Sequence, residues 1–266
     1  MSESQYNISG QTTIVTGASG GIGKAIAERF TEQGANVVIC SRDQAAIDEV
    51  AAGIRQNEPD GAIRAIECDI TDRTQVEGLV DATVDEFDSL NILINNAGAS
   101  FLAPFSEVSE NGWQTILNIN LTGTFNCTQI AHERMRASDG GSVVNLSSVA
   151  AIDGSPRMAH YGAAKAGVIN LTKTLSYEFA EDNIRVNCVA PGIIATKGME
   201  TQMDFTAEEI DRETVKRRIG TVDEIAEVVQ FLASPAASYV TGQTLAVEGV
   251  PHVEETHEFD KPYSWV

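Results

Sequence analysis

Lysine is scarce in this sequence. It supplies 6 residues against 12 arginines and 38 acidic residues, and the formal net charge is −20. A surface this acidic repels nucleic acid and anionic membranes, which carry dense negative charge themselves. The lysine-poor, acid-rich balance resembles that of proteins from salt-accumulating halophiles, and predicts activity and stability that rise toward molar salt. An acidic mesophilic enzyme is the alternative.

Long apolar runs are missing too. No stretch approaches the roughly 18–20 apolar residues of a membrane span. Met1–Gly10 is polar and lacks the basic-plus-apolar pattern of a secretory leader. The expectation is a cytoplasmic protein. The four cysteines, Cys40, Cys68, Cys127 and Cys188, form no C-x-x-C pair. That spacing argues against a disulfide framework or a zinc site and for small buried side chains. Aromatic residues make up a modest 6%, ordinary for a globular chain.

What the sequence does contain is an alternation. Short Val- and Ile-rich runs at Thr12–Thr16, Asn36–Cys40, Ile63–Cys68, Ile92–Asn95, Ser142–Leu146, Arg185–Val189 and Thr244–Val247 read as strands. Continuous apolar strands suit a sheet buried on both faces. Amphipathic segments of helical period lie between them, at Ile22–Gln33, Gln44–Gln56, Arg73–Phe87, Glu110–Ala137, Ala159–Ala180, Ala207–Arg218 and Asp223–Ala233. The pattern predicts an α/β fold, a doubly wound parallel sheet of about seven strands with helices on both faces. No linker interrupts it, so residues 1–249 read as one domain and 250–266 as an acidic, aromatic tail.

The first strand runs into Thr16-Gly17-Ala18-Ser19-Gly20-Gly21-Ile22-Gly23, and a helix comes at once after it. A dinucleotide pyrophosphate must approach backbone N–H groups at a helix N-terminus, and side chains on the turn would block that approach. The spacing is G-x-x-x-G-x-G, one residue longer in its first gap than the G-x-G-x-x-G fingerprint. Further on, Tyr161 and Lys165 stand four residues apart, one turn along a helix.

The Gly17-x-x-x-Gly21-x-Gly23 turn resembles the cofactor motif of the short-chain dehydrogenase/reductase family. Asn95-Asn96-Ala97-Gly98, Asn118-Ile119-Asn120-Leu121, Ser147-Ser148, Tyr161-x-x-x-Lys165 and Pro191-Gly192 come next in the family's order. The similarity covers roughly residues 8–249 and implies a Rossmann domain with a nicotinamide cofactor. It places Gly17, Ser19, Gly21, Ile22, Gly23, Ile70, Asn96, Ala97, Gly98, Pro191, Gly192, Ile194 and Thr196 along that cofactor, with Tyr161 and Lys165 at its reactive end. Asn95 is expected to brace neighbouring strand ends.

The second strand ends before Ser41-Arg42-Asp43. An acidic residue there would bind a ribose 2′-hydroxyl and exclude a 2′-phosphate. Ser41 fills that place, and Arg42 is positioned to receive the phosphate. The resemblance therefore implies NADP(H) rather than NAD(H), although Asp43 could bind ribose or pair with Arg42. Asp69 resembles the residue that meets adenine; an N-cap role before the next helix is the competing reading.

Reducing a carbonyl by hydride needs a proton donor at the developing alkoxide. Tyr161 can supply it, and a cation at Lys165 favours phenolate. Ser148 can steady the substrate oxygen, whereas Ser147 is expected to point to the other face. By resemblance Asn120 anchors a water that links Lys165 to solvent, with Asn118 as its nearby competitor. His160 reads as a packing residue. A metal has no assigned role.

Substrate specificity is expected from Ala99–Phe105, Ala150–Ala159 and Ala195–Ala207, whose Phe101, Leu102, Phe105, Met158, Met199, Met203 and Phe205 suggest an apolar pocket. A ketone/alcohol pair or a 3-oxoacyl thioester is the implied substrate. An enoyl- or dienoyl-CoA reductase and a non-catalytic cofactor-binding regulator are the alternatives. The family's habit of assembly implies a homotetramer or homodimer built on the long helices.

Overall fold

The computed structural model describes residues 5–196, 210–213 and 218–250. Nine strands are found there: β1 (Thr12–Thr16), β2 (Asn36–Ser41), β3 (Ile63–Glu67), β4 (Ile92–Asn95), β5 (Gly141–Leu146), β6 (Ile184–Pro191), β7 (Ile194–Ala195), β8 (Gly220–Thr221) and β9 (Thr244–Val247). Seven form a parallel sheet in the order β3-β2-β1-β4-β5-β6-β9. The helices are α1 (Gly21–Glu32), α2 (Gln44–Gln56), α3 (Arg73–Phe87), α4 (Glu110–Leu117), α5 (Gly123–Ala137), α6 (Ala159–Glu178) and α7 (Val222–Ala233).

Strand residues alternate between two cores because side chains on a strand point to opposite faces. On β1, Val15 joins a core with Phe30, Ile47, Val229 and Leu232. Its neighbour Ile14 joins the opposite core with Leu79, Cys127, Met135 and Phe179. Helices α1, α2 and α7 cover the first face, and α3, α5 and α6 the second. All four cysteines are buried and free, as their spacing suggested.

Short polar residues start most helices. Asp43 caps α2, Asp72 caps α3, Ser109 caps α4, and Thr221 with Glu224 forms a capping box on α7. Helix α1 has no side-chain cap: Gly20 precedes it, and the helix enters directly from the glycine turn.

Two features depart from the sequence expectation. The helix expected over Glu110–Ala137 is broken by a π-helical turn at Asn118–Thr122. Such a turn inserts a residue and rotates the next helical segment, which periodicity alone does not reveal. The two-residue pair β7–β8 is the other, being too short to leave a pattern in the sequence. Most of the helix expected over Ala207–Arg218, together with Met199, Met203, Phe205 and the tail from 251 onward, lies outside the described residues.

Candidate active site

The strand order reverses between β1 and β4, which is where open parallel sheets bind ligands beyond their strand ends. Gly17 begins the turn after β1 with φ +66°, and a Cβ there would lie 2.6 Å from the Ala97 Cα. A Cβ on Gly23 would overlap the Asn96 amide nitrogen and lie 2.6 Å from the Gly17 carbonyl. Gly21, with φ +54°, has only Thr196 at 3.4 Å before it. Ser19 and Gly20 are exposed, Ile22 is half-buried, and nothing crowds Gly20. Two glycines thus serve close backbone packing, whereas Gly20 and Gly21 leave an open space over the uncapped start of α1.

The turn after β4 locks onto the first. The Asn96 side-chain amide donates to Thr16 O at 2.9 Å and Gly17 O at 3.0 Å, and Ala97 N donates to the Thr16 hydroxyl at 3.1 Å. Asn95 braces the strands as expected, donating to Thr128 and to Asn145 of β5, each at 2.8 Å. Pro191 ends β6, and the Gly192 N–H bonds Val247 O. A Cβ on Gly192 would strike Glu248 at 2.7 Å. Ile194 is buried in β7, and Thr196 faces Gly21.

Around the second and third strands the structure decides between readings. Asp43 accepts from Ala46 N as the cap of α2, and it is not paired with Arg42. Arg42 is exposed and has no ion pair among the described residues. Ser41 holds the loop through Asp43. Asp69 is not an N-cap: it accepts from Thr71 N and the Thr71 hydroxyl, while Asp72 caps α3. Ile70 is buried close to Gly123, and its carbonyl accepts from Asn126.

The candidate catalytic residues converge from β5, the π turn and α6. Ser148 follows β5; its hydroxyl accepts from Ala150 N at 3.2 Å and lies beside Tyr161, where it opposes the rise in the Tyr161 pKa. Lys165 is 3% exposed and donates to Leu146 O at 2.7 Å. Its ammonium lies 5.8 Å from the centre of the Tyr161 ring. Asn120, fully buried by the π turn, donates to Ala99 O and Ile116 O. A Cβ on Gly98 would sit 2.8 Å from Asn120 Oδ1 and 3.3 Å from Lys165 Nζ, so the two residues approach one point beside that glycine. Asn118 instead accepts from Gln114 on the exposed side.

The charges differ from expectation in one respect. The sequence predicts that Lys165 lowers the Tyr161 pKa; instead burial raises it, and only the Ser148 hydroxyl works the other way. Desolvation holds Lys165 itself down to about 8, with Cys188 opposing weakly. Burial disfavours the charged form of both groups, which keeps Tyr161 a phenol at neutral pH.

Ser147, expected to point to the other face, is engaged with α6: its hydroxyl donates to Lys165 O at 2.9 Å. Sequence reasoning missed that contact, because a strand-end serine looks the same whether or not a helix carbonyl lies above it. His160 is fully buried and packs on Phe101 with ring centres 4.0 Å apart. Phe101, Leu102, Phe105 and Ile152 are exposed.

Fold and cluster together are those of a dehydrogenase or reductase working between alcohols and ketones. A family model described as enoyl-(acyl carrier protein) reductase matches residues 17–249. The chain is 38% identical over 248 residues to a 3-oxoacyl-(acyl-carrier-protein) reductase of Thermotoga maritima, covering 91% of this chain and 98% of that one. It is 36% identical to a 3alpha-hydroxysteroid dehydrogenase of Mediterraneibacter gnavus, covering 90% and 96%. Among solved structures, a 7 alpha-hydroxysteroid dehydrogenase complexed with NADH and 7-oxo glycochenodeoxycholic acid superposes with TM-score 0.83 at 32% identity, covering 92% of this chain and 95% of that one. A short-chain type dehydrogenase/reductase from Mycobacterium ulcerans gives TM-score 0.83 at 30% identity, covering 91% and 89%. The chain belongs to the short-chain dehydrogenase/reductase family.

Proposed function

We propose that this protein is an NADP(H)-dependent reductase that converts a ketone, a 3-oxoacyl thioester or a close analogue, to the hydroxy compound. The observation that carries the reading is the junction of Ser148, Tyr161 and Lys165 at the end of β5. The site fits a dinucleotide. The start of α1 is uncapped and open over Gly20 and Gly21, as a pyrophosphate needs. Arg42 is exposed and makes no ion pair among the described residues, which suits a ribose 2′-phosphate.

Bound there, the nicotinamide would supply hydride to the carbonyl carbon. Ser148 and Tyr161 hold the carbonyl oxygen, and the Tyr161 hydroxyl gives it a proton as the alkoxide forms. Lys165 stabilises the resulting phenolate and would hold the nicotinamide ribose. Asn120 positions a water by which Lys165 reaches solvent. Phe101, Leu102 and Phe105 offer apolar surface for the rest of the substrate.

Residues 1–249 act as one catalytic unit in this reading. A homotetramer or homodimer built on α5 and α6 is part of this reading, by analogy with the family. Light scattering tests that part.

The function is tested by following NADPH and NADH oxidation with acetoacetyl-CoA and crotonyl-CoA side by side. Acetoacetyl-CoA with NADPH should be consumed fastest. Turnover of crotonyl-CoA alone would replace this reading with an enoyl reductase. Cofactor binding without turnover on a ketone, alcohol and thioester panel would point to a regulator.

A further inference from the structure

We infer that Ser147, outside the expected catalytic set, is a positioning residue that fixes Lys165 from behind. The inference rests on the proposed function of the Ser148, Tyr161 and Lys165 site. Three consecutive residues at the end of β5 meet the two working residues of α6. Leu146 O accepts from Lys165 Nζ at 2.7 Å. The Ser147 hydroxyl donates to Lys165 O at 2.9 Å. Ser148 stands beside Tyr161.

Ser147 is itself held. It is 4% exposed, and its N–H donates to Val189 O on β6 at 2.7 Å. Its hydroxyl therefore transmits the position of the sheet to one point on α6, the main chain of Lys165. Lys165 is bonded at both ends, by its ammonium to Leu146, which ends β5, and by its carbonyl to Ser147, the next residue. A side chain so long loses considerable rotamer freedom when held. Fixing its backbone to the residue next to the one that receives its ammonium keeps the span between those two points constant.

The hydroxyl contributes through distance rather than charge. Without it, the Lys165 carbonyl loses a donor inside the protein and α6 is released from β5 at that residue. The ammonium then samples positions away from Leu146 and nearer water. The titratable groups that face it among the described residues are Tyr161 on its own helix and Cys188 on β6.

The test compares the wild-type protein with Ser147→Ala. Ser147→Cys, of similar size but a weaker donor, stands in if the alanine variant does not fold. The cofactor-free proteins are labelled with 13C-lysine, and the Lys165 Cε resonance is titrated by NMR; six lysines make the spectrum tractable. The Lys165 midpoint should move upward in the variant, toward the value of a hydrated lysine. With the substrate on which the wild type is active, kcat should fall about five- to tenfold while substrate KM stays within about twofold, the size expected for one hydrogen bond. An unchanged midpoint and an unchanged kcat in a folded variant would overturn the inference, even if its melting temperature fell. A wild type inactive on every ketone tried would instead count against the proposed function, and the NMR titration would still decide the role of Ser147.

Discussion

The side-chain amide of Asn96 donates to the carbonyl of Gly17 at 3.0 Å, so the turns after β1 and β4 are one mechanical unit. Gly17 is pressed against Ala97 with φ +66°, and Gly23 against that same amide and carbonyl. Gly17→Ala and Gly23→Ala should each lower stability by about 2 kcal/mol or more, because backbone rather than a flexible side chain must yield. Gly21→Ala should fold, with a smaller loss from its positive φ, but place a methyl over the helix start. Thermal melts and NADPH fluorescence titration separate the two outcomes: early melting for the first pair, weak cofactor binding for the third.

Under the proposed function, Arg42 receives the ribose 2′-phosphate. Arg42→Ala should weaken NADPH binding by about 10- to 100-fold, the size of a charge-assisted hydrogen bond, and leave NADH nearly unchanged. Equal NADPH affinity in variant and wild type would rule out the 2′-phosphate role.

Under the proposed function, Tyr161→Phe removes the proton donor and keeps the ring. Ketone reduction should fall at least about 100-fold, as for loss of general acid catalysis, while NADPH still binds. A variant retaining a tenth of the activity would mean that another group supplies the proton.

Lys165 sets a pH dependence of stability. Burial holds it at about 8 in the folded protein against an ordinary 10.5. Between those values the unfolded chain binds more protons than the folded one, so stability rises with pH across that window. The Tyr161 shift is upward from 10 and acts only above it. The buried cysteines Cys40, Cys127 and Cys188 shift upward and act in the opposite sense above about pH 8.5. It is therefore the difference in urea midpoint between wild type and Lys165→Met that should grow in favour of the wild type from about pH 7.5 to about pH 9.5.

The net charge of −20 makes salt a stabiliser. Most ion pairs in the described residues lie at the surface, such as Arg134 with Asp81 and Arg212 with Glu227. Screening costs each of them at most about 1 kcal/mol, whereas it relieves repulsion over the whole acidic surface. The melting temperature and activity should climb from low salt to molar KCl. A flat or falling melting curve over that range would exclude a halophilic adaptation.

The sheet was legible in the sequence because its strands are buried on both faces. Val37, Val38 and Ile39 must all be apolar when each face carries a core, and such a run is hard to mistake. The caps were not read correctly: Asp43 and Asp72 start α2 and α3, whereas the sequence offered Asp69 as the cap and Asp43 as a partner of ribose or Arg42. The candidate site was readable where it depends on local spacing, as in Tyr161 and Lys165 on one helix face. It was unreadable where it depends on contacts across the fold. The π turn that buries Asn120 changes register by one residue without changing composition. The Ser147 hydroxyl finds Lys165 O only once α6 is laid over β5. The Tyr161 shift likewise comes from how much protein surrounds the ring, a property of the packed molecule rather than of its neighbours in sequence.

β1 pairs directly with β4, Thr13 beside Ile92, although β2, β3 and three helices lie between them in the chain. That pairing closes a long loop, and long-range closure is the slow part of folding. The helices can form from nearby residues, but the junction of the Gly17 and Asn96 turns cannot exist until those distant strands meet. In refolding from denaturant, enzymatic activity is accordingly a clock for the last long-range step, and helical signal is a clock for the first local ones.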